Sequence, residues 1–311
     1  MRSLVVSRLL QAGLVVVVVG ILCFILVRAL PGDPAMRIAA GRYGPDANIT
    51  EAAEQVRREL GLDQPLLVQL GASLGQLVRL DLGHSVVTGL PIPKELRVQL
   101  GATLWLSGSA LVLSLLLGPP LGLLAGLRRG GWVDNGSLAG AIVLRSLPPF
   151  VLGLLLILVF AMLLGLFPPA GYGTWRDLAL PALTLALGLA AVSSRVARDA
   201  VAAVVRTPYL AFARLKGLPE PVVVRRHVLR NAAIPVVSYL ALQAIYLIEG
   251  VVVVETLFGI PGIGHALVHA VIARDVPMVQ GTALAMGLLF VVIAMAVDLA
   301  CRWLDPRPKR T

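Results

Sequence analysis

Charge is scarce in this chain: only 14% of its 311 residues are Asp, Glu, Lys or Arg, where soluble domains carry about 25%. Too little polar side chain is present to cover a water-facing surface, so a soluble globular fold is excluded. Cysteine is limited to Cys23 and Cys301. The first lies in an apolar run and the second follows the last such run, so neither a disulfide nor a cysteine metal site is predicted. Two motifs are missing as well: H-E-x-x-H and G-x-x-x-x-G-K-[ST]. Their absence argues against an intramembrane hydrolase and against ATP hydrolysis by this chain. No internal repeat is present, and no low-complexity segment beyond Val/Leu runs.

Apolar residues make up 58% of the chain, which points to an all-α integral membrane protein. A span needs about 20 apolar residues. Six stretches qualify, at 9–30, 101–127, 138–166, 178–194, 232–256 and 278–300. The third contains Leu147-Pro148-Pro149-Phe150 and the fourth contains Pro181. Proline frees a carbonyl and kinks a helix, so bends are expected at both. Arg2 and Arg8 precede the first stretch, whose apolar run from Leu9 to Val27 outlasts the core of a signal peptide, about 7–15 residues. A retained helix is predicted there.

The net charge is +10. In a membrane protein this reflects basic cytoplasmic loops, so no nucleic acid partner is inferred. Placing both termini in the cytoplasm puts most of the Lys and Arg on that side. They are Arg2, Arg8, Arg128, Arg129 and Arg145, the basic residues between Arg195 and Arg230, and Arg302, Arg307, Lys309 and Arg310. Residues 31–100 then form an external loop. Asn48 and Glu51 have capping-box spacing and Gly61 suits a C-terminal stop, predicting a short helix over 49–60. Leu66, Leu70, Leu74 and Leu77 recur on one face after Pro65, predicting a second, amphipathic helix.

Residues 195–231 form the remaining large loop, on the cytoplasmic side. Loops of that length are usually structured or functional. Tyr209 to Lys216 has helical spacing, Gly217 supplies a turn, and Pro219 and Pro221 can start a second helix. That helix carries Arg225, Arg226, His227 and Arg230 beside Val222, Val223, Val224, Val228 and Leu229. A helical hairpin is predicted, serving either as a positive-inside anchor or as a dock.

The hairpin resembles the coupling loop of binding-protein-dependent ABC importer permeases. Their signature is E-A-A, three residues, Gly, nine residues, then I-x-L-P. Ala213, Gly217 and Leu229 match it, while Ala211 stands for the acid, Phe212 for Ala, His227 for Ile and Arg230 for Pro. The variant of the dipeptide/oligopeptide/nickel group is closer. It is similar to Ala213-Arg214-Leu215-Lys216-Gly217-Leu218 and to Arg226-His227-Val228-Leu229-Arg230-Asn231-Ala232-Ala233-Ile234-Pro235. Leu30-Pro31-Gly32-Asp33-Pro34, Asp81-Leu82-Gly83, Glu255-Thr256-Leu257-Phe258, Pro261-Gly262-Ile263-Gly264 and Arg274-Asp275 extend the resemblance along nearly the whole chain.

The resemblance implies a permease in the bacterial inner membrane, with residues 1–311 as a single transmembrane domain. It implies a heterodimer with a second, related permease, two ABC ATPases that hold ATP and Mg, an external solute-binding protein and surrounding lipid. No cofactor is expected on this chain. Ala211, Phe212, Ala213, Arg214, Lys216, Gly217, Arg226, His227 and Leu229 would form the ATPase-coupling loop, and Pro261, Gly262 and Gly264 an external gate.

Within the spans, Glu249, Gln243 and Glu255 are candidates for the path. Glu249 either faces a cavity or is neutralised within the bundle, and Glu255 suits a structural role. His265 and His269 are four residues apart and would share a helix face, a weak metal pair lacking further ligands. The implied cargo is a peptide, with nickel or another metal chelate as competitor. A solitary carrier or channel is the rival class, and it would have no need of an ATPase dock.

Overall fold

The computed structural model describes residues 2–29, 32–33, 35–36, 39, 49–59 and 63–304. Twelve helices are named here, with no strand among the described residues beyond a single bridge between His84 and Pro91. They are α1 (Arg2–Ala29), α2 (Ile49–Glu59), α3 (Leu66–Val78), α4 (Ile92–Leu127), α5 (Trp132–Ser146) and α6 (Pro149–Leu156). Then follow α7 (Trp175–Val205), α8 (Pro208–Leu215), α9 (Glu220–Val223), α10 (Arg230–Phe258), α11 (Ile263–Ile272) and α12 (Val276–Leu304). Wider turns extend α6 over Ile157–Leu163 and join α9 to α10 over Val224–Leu229.

The six expected spans fall within α1, α4, α5 with α6, α7, α10 and α12. Five helices are individually long and apolar enough to cross a membrane, and two helix pairs with short breaks raise the number to at most seven. The expected span over 138–166 is not one rod. Its halves meet at 107°, because Leu147 and Pro148 are extended and Pro149 starts a new helix. Pro181, by contrast, sits inside the unbroken α7. The two short helices predicted between the first two spans are present as α2 and α3; Asn48 and Gly61 lie outside the described residues.

The chain packs as two compact units, Met1–Thr103 with Pro261–Met295, and Leu104–Ile260 with Ala296–Thr311. In the first, Ile92, Leu96, Ile263, Ala270, Met278 and Val279 form a buried core. Gly20 of α1 admits Leu74 and Leu77 of α3, and Gly287 of α12 admits Val15 of α1. Asp33 accepts from the Ala35 N–H at 2.9 Å and pairs with Arg57 on α2. A buried carboxylate, Asp275, stands before α12. Its Oδ2 accepts from Ser85 Oγ (2.5 Å) and the Val87 N–H (3.3 Å), and its Oδ1 caps α12 through the Met278 N–H (3.2 Å).

In the second unit α7 is the hub. A methyl group on Gly118 of α4 would lie 2.0 Å from Ser193 Oγ, and one on Gly122 would lie 2.2 Å from the Ser194 carbonyl oxygen. One on Gly126 would lie 2.8 Å from the Arg198 carbonyl oxygen. Glycine at each position is what lets α4 and α7 touch backbone to backbone. On α6, Gly153 is packed against Leu257 and Phe258 of α10 and Thr184 of α7.

Candidate functional site

The hairpin is built from local rules. Pro208 opens α8, where a missing N–H costs nothing. Gly217 closes it in the left-handed region at φ +76°, with its N–H donating to the Arg214 carbonyl at 2.9 Å. A side chain with a Cβ is strained in that conformation. Pro219 then leads into α9. Across the turn Arg214 grips Glu220 with two bonds, Nε to Oε2 at 3.1 Å and Nη2 to Oε1 at 2.6 Å. Both side chains are exposed, so this fork sets geometry and adds little stability.

The two faces of α8 differ. Leu210 and Ala213, one turn apart, are buried. Leu210 joins Val223, Val228, Ala232 and Val201 in a closed cluster, with Leu123 and Leu127 of α4 and Val204 and Val205 of α7 packed around it. The hairpin is thereby one body with the ends of α4 and α7. On the other face Phe212 is 58% exposed and Leu215 85%. Tyr209, Leu218 and Val222 are also exposed. Lys216 Nζ sits 4.7 Å above the Phe212 ring, and the His227 ring lies 6.4 Å from that of Tyr209. A rigid base thus presents an apolar ridge rimmed by Arg214, Lys216, Arg225 and Arg226.

The remaining predicted coupling residues lie in the same hairpin, and the path, gate and metal candidates fall elsewhere. Ala211, Arg226 and Leu229 are exposed, and His227 is half-buried. Gln243 is 1% exposed and donates from Nε2 to the Leu189 carbonyl at 2.7 Å, tying α10 to α7. Glu255 is wholly buried. Glu249 belongs to α10, and its side chain lies outside the described residues. Gly262 and Gly264 are buried and Pro261 half-buried, and the Ile263 N–H between the glycines donates to Thr103 Oγ1 at 2.9 Å. The His265 and His269 rings are 4.4 Å apart. Among the described residues no three His, Cys, Asp or Glu side chains are grouped as a metal set.

Sequence reasoning missed one polar cluster. Asp134, 3% exposed at the start of α5, accepts from Arg198 through Nε to Oδ1 (3.0 Å) and Nη2 to Oδ2 (2.8 Å). Its Oδ2 also accepts from the Gly130 N–H at 3.0 Å. Arg195 Nη1 stands 3.6 Å from Asp134 Oδ1, and its Nη2 donates to Ser137 Oγ at 2.5 Å. Arg198 also holds the exposed Asp199 at 2.7 Å. Four charges cancel there, which is how charged groups tolerate low exposure. No local pattern announces a partner 64 residues away. The Gly118, Gly122 and Gly126 series, also missed, was legible as a four-residue repeat of glycine.

Two family descriptions match the chain. "Binding-protein-dependent transport system inner membrane component" covers residues 118–310, and the N-terminal portion of the same kind of membrane component covers residues 1–86. This chain belongs to that family. The permease is 39% identical over 306 residues to the glutathione transport system permease protein GsiC of Escherichia coli (strain K12), covering 98% of each chain. It is also 39% identical over 315 residues to a candidate peptide transport system permease of Brucella abortus (strain 2308), covering 99% of each.

Its fold is shared with the MetNI methionine ABC transporter in inward-facing form, at TM-score 0.58 and 19% identity, over 69% of this chain and 98% of that one. An amino acid ABC transporter solved with histidines gives TM-score 0.53 at 18% identity, over 68% of this chain and 94% of that one. The protein is therefore a permease subunit of an ABC importer, multi-pass in the inner membrane. Permease subunits are not themselves enzymes; ATPase and substrate-binding partners are implied by the family in general.

Proposed function

We propose that this permease carries short peptides, glutathione-like tripeptides among them, delivered by an external solute-binding protein. In this reading it forms half of a path with a related permease, and two ATPases drive the pair. The observation that carries the coupling is the hairpin itself. Its ridge of Phe212 and Leu215 is exposed while Leu210 and Ala213 are buried. An exposed apolar ridge on a rigid base suits insertion into a groove of a partner subunit. The base matters as much as the ridge, because a loose hairpin would absorb the stroke of the ATPase before it reached α7. ATP binding then shifts the bundle between inward-open and outward-open states by favouring one of them. The cargo class is supported by relatives named for peptide and glutathione transport. Nickel or another metal chelate is the competing cargo.

Affinity purification from detergent-solubilised membranes tests the dock. The wild-type chain is expected to bring down its ATPases and the second permease, and Gly217→Trp is expected to lose the ATPases. A wild-type chain that emerges alone and transports in ATP-free vesicles would make it a solitary carrier. Uptake of labelled glutathione, competed by dipeptides or by nickel-histidine, sorts the cargo.

A further inference from the structure

We propose that Asp134, with Arg195, Arg198 and Ser137, is a positioning clamp that forces α5 to travel with α7 when the hairpin is driven. The inference rests on the reading of the hairpin as the ATPase dock.

Residues 194–205 of α7 receive everything that joins at this end of the second unit. Val201, Val204 and Val205 seat the hairpin. Ser194, Ala197 and Val201 receive Gly122 and Gly126 of α4. Arg195 and Arg198, one turn before Val201, hold α5. The three attachments are chemically different. The hairpin seat is mainly apolar packing, with Thr207 donating to the Val204 carbonyl at its root. The α4 seat is steric, a backbone against a backbone, and fixes distance without fixing angle. The α5 seat is a bidentate fork with a second guanidinium on the neighbouring hydroxyl, which fixes both distance and angle. Of the three, it is the one that transmits a rotation.

What lies beyond α5 makes that rotation matter. The helix ends at the 107° bend into α6, and α6 is held on α7 and α10 at Gly153. The bent pair is therefore gripped at both ends by elements that continue from the hairpin. With the clamp closed, α7 carries α5 and α6 with it. With the clamp open, α7 turns against α5 and the stroke is lost at the α5–α7 seam. Asp134 touches neither ATPase nor cargo in this scheme; it acts through α5.

The test uses the full complex with its partners. Spin labels at Ile142→Cys on α5 and Ala203→Cys on α7, both exposed, are introduced with Cys23 and Cys301 replaced by Ser. Their distance distribution is measured nucleotide-free and trapped with ATP and vanadate. The expected result is one narrow distribution, the same in both states. Asp134→Ala and Arg198→Lys, which keeps the charge but loses the fork, should split or shift it on trapping. Labelled glutathione carried per ATP hydrolysed, or a labelled dipeptide mixture if that is the cargo, should fall about tenfold in both variants. Asp134→Glu, which keeps a carboxylate for the Arg198 fork, should retain distribution and ratio together, an outcome that Asp134→Ala does not give. An unchanged ratio in folded Arg198→Lys overturns the clamp. If Asp134→Ala fails to assemble, Asp134→Glu and Arg198→Lys decide alone. Retention of the ATPases by Gly217→Trp would instead overturn the docking reading, whatever the clamp variants do.

Discussion

The hairpin after α7 is seated by apolar packing, whereas the turn before α4 is seated by one buried carboxylate. Leu210, Val223 and Val228 bury the hairpin against α4 and α7, and its ion pair of Arg214 and Glu220 stays exposed. The turn around Ser85 is held by Asp275, which gathers a hydroxyl, the Val87 N–H and, through the Met278 N–H, the start of α12. The contrast follows from what each segment offers. The hairpin has two helical faces and can hide one of them. The turn from Asp81 to Pro91 has little apolar face beyond Leu82 and many backbone groups to satisfy, so a multivalent acceptor does the work.

The largest effect is expected at the hairpin seat. Leu210→Ala removes the side chain at the centre of the cluster and should cost about 2–5 kcal/mol. Limited proteolysis should then cut near Gly217 far faster, and the purified complex should shed its ATPases. Asp275→Ala ranks next. It strands the buried Ser85 hydroxyl and the Met278 N–H, a cost of about 1–3 kcal/mol. Faster amide hydrogen exchange at Val87 and Thr88, with hairpin exchange unaltered, checks it. Smallest is Glu220→Gln. It breaks a solvent-screened, exposed pair, and thermal unfolding should scarcely move. If Asp275→Ala proves as harmless as Glu220→Gln, the contrast between the two regions collapses. If Leu210→Ala leaves the hairpin resistant to protease, the seat is not apolar packing.

Legibility in the sequence tracked the range of the interactions. The helices α2, α3 and α8 were readable because periodicity, prolines and glycines act within a few residues. Gly217 was readable for the same reason, since a turn with positive φ selects glycine. The bend at Leu147-Pro148-Pro149 was announced by proline, but not its size, so 138–166 read as one span. Pro181 sent the same signal and produced no break. The hairpin was expected as part of a loop over 195–231, yet α7 runs as helix to Val205, which gives the hairpin a stiff root. Gln243, named as a path candidate, donates to the Leu189 carbonyl of α7.

By itself the sequence determined the solvent this protein lives in, the helical periods that answer to it, and the family motifs of the hairpin. Those are properties of composition and short spacing, and they need no partner. Only the tertiary structure decided that Asp134 meets Arg198, that Asp275 meets Ser85, and that Leu210 faces inward while Phe212 faces out. A buried charge is tolerable only beside its counter-charge. Which counter-charge arrives there is fixed by how helices cross, and no stretch of chain encodes a crossing on its own.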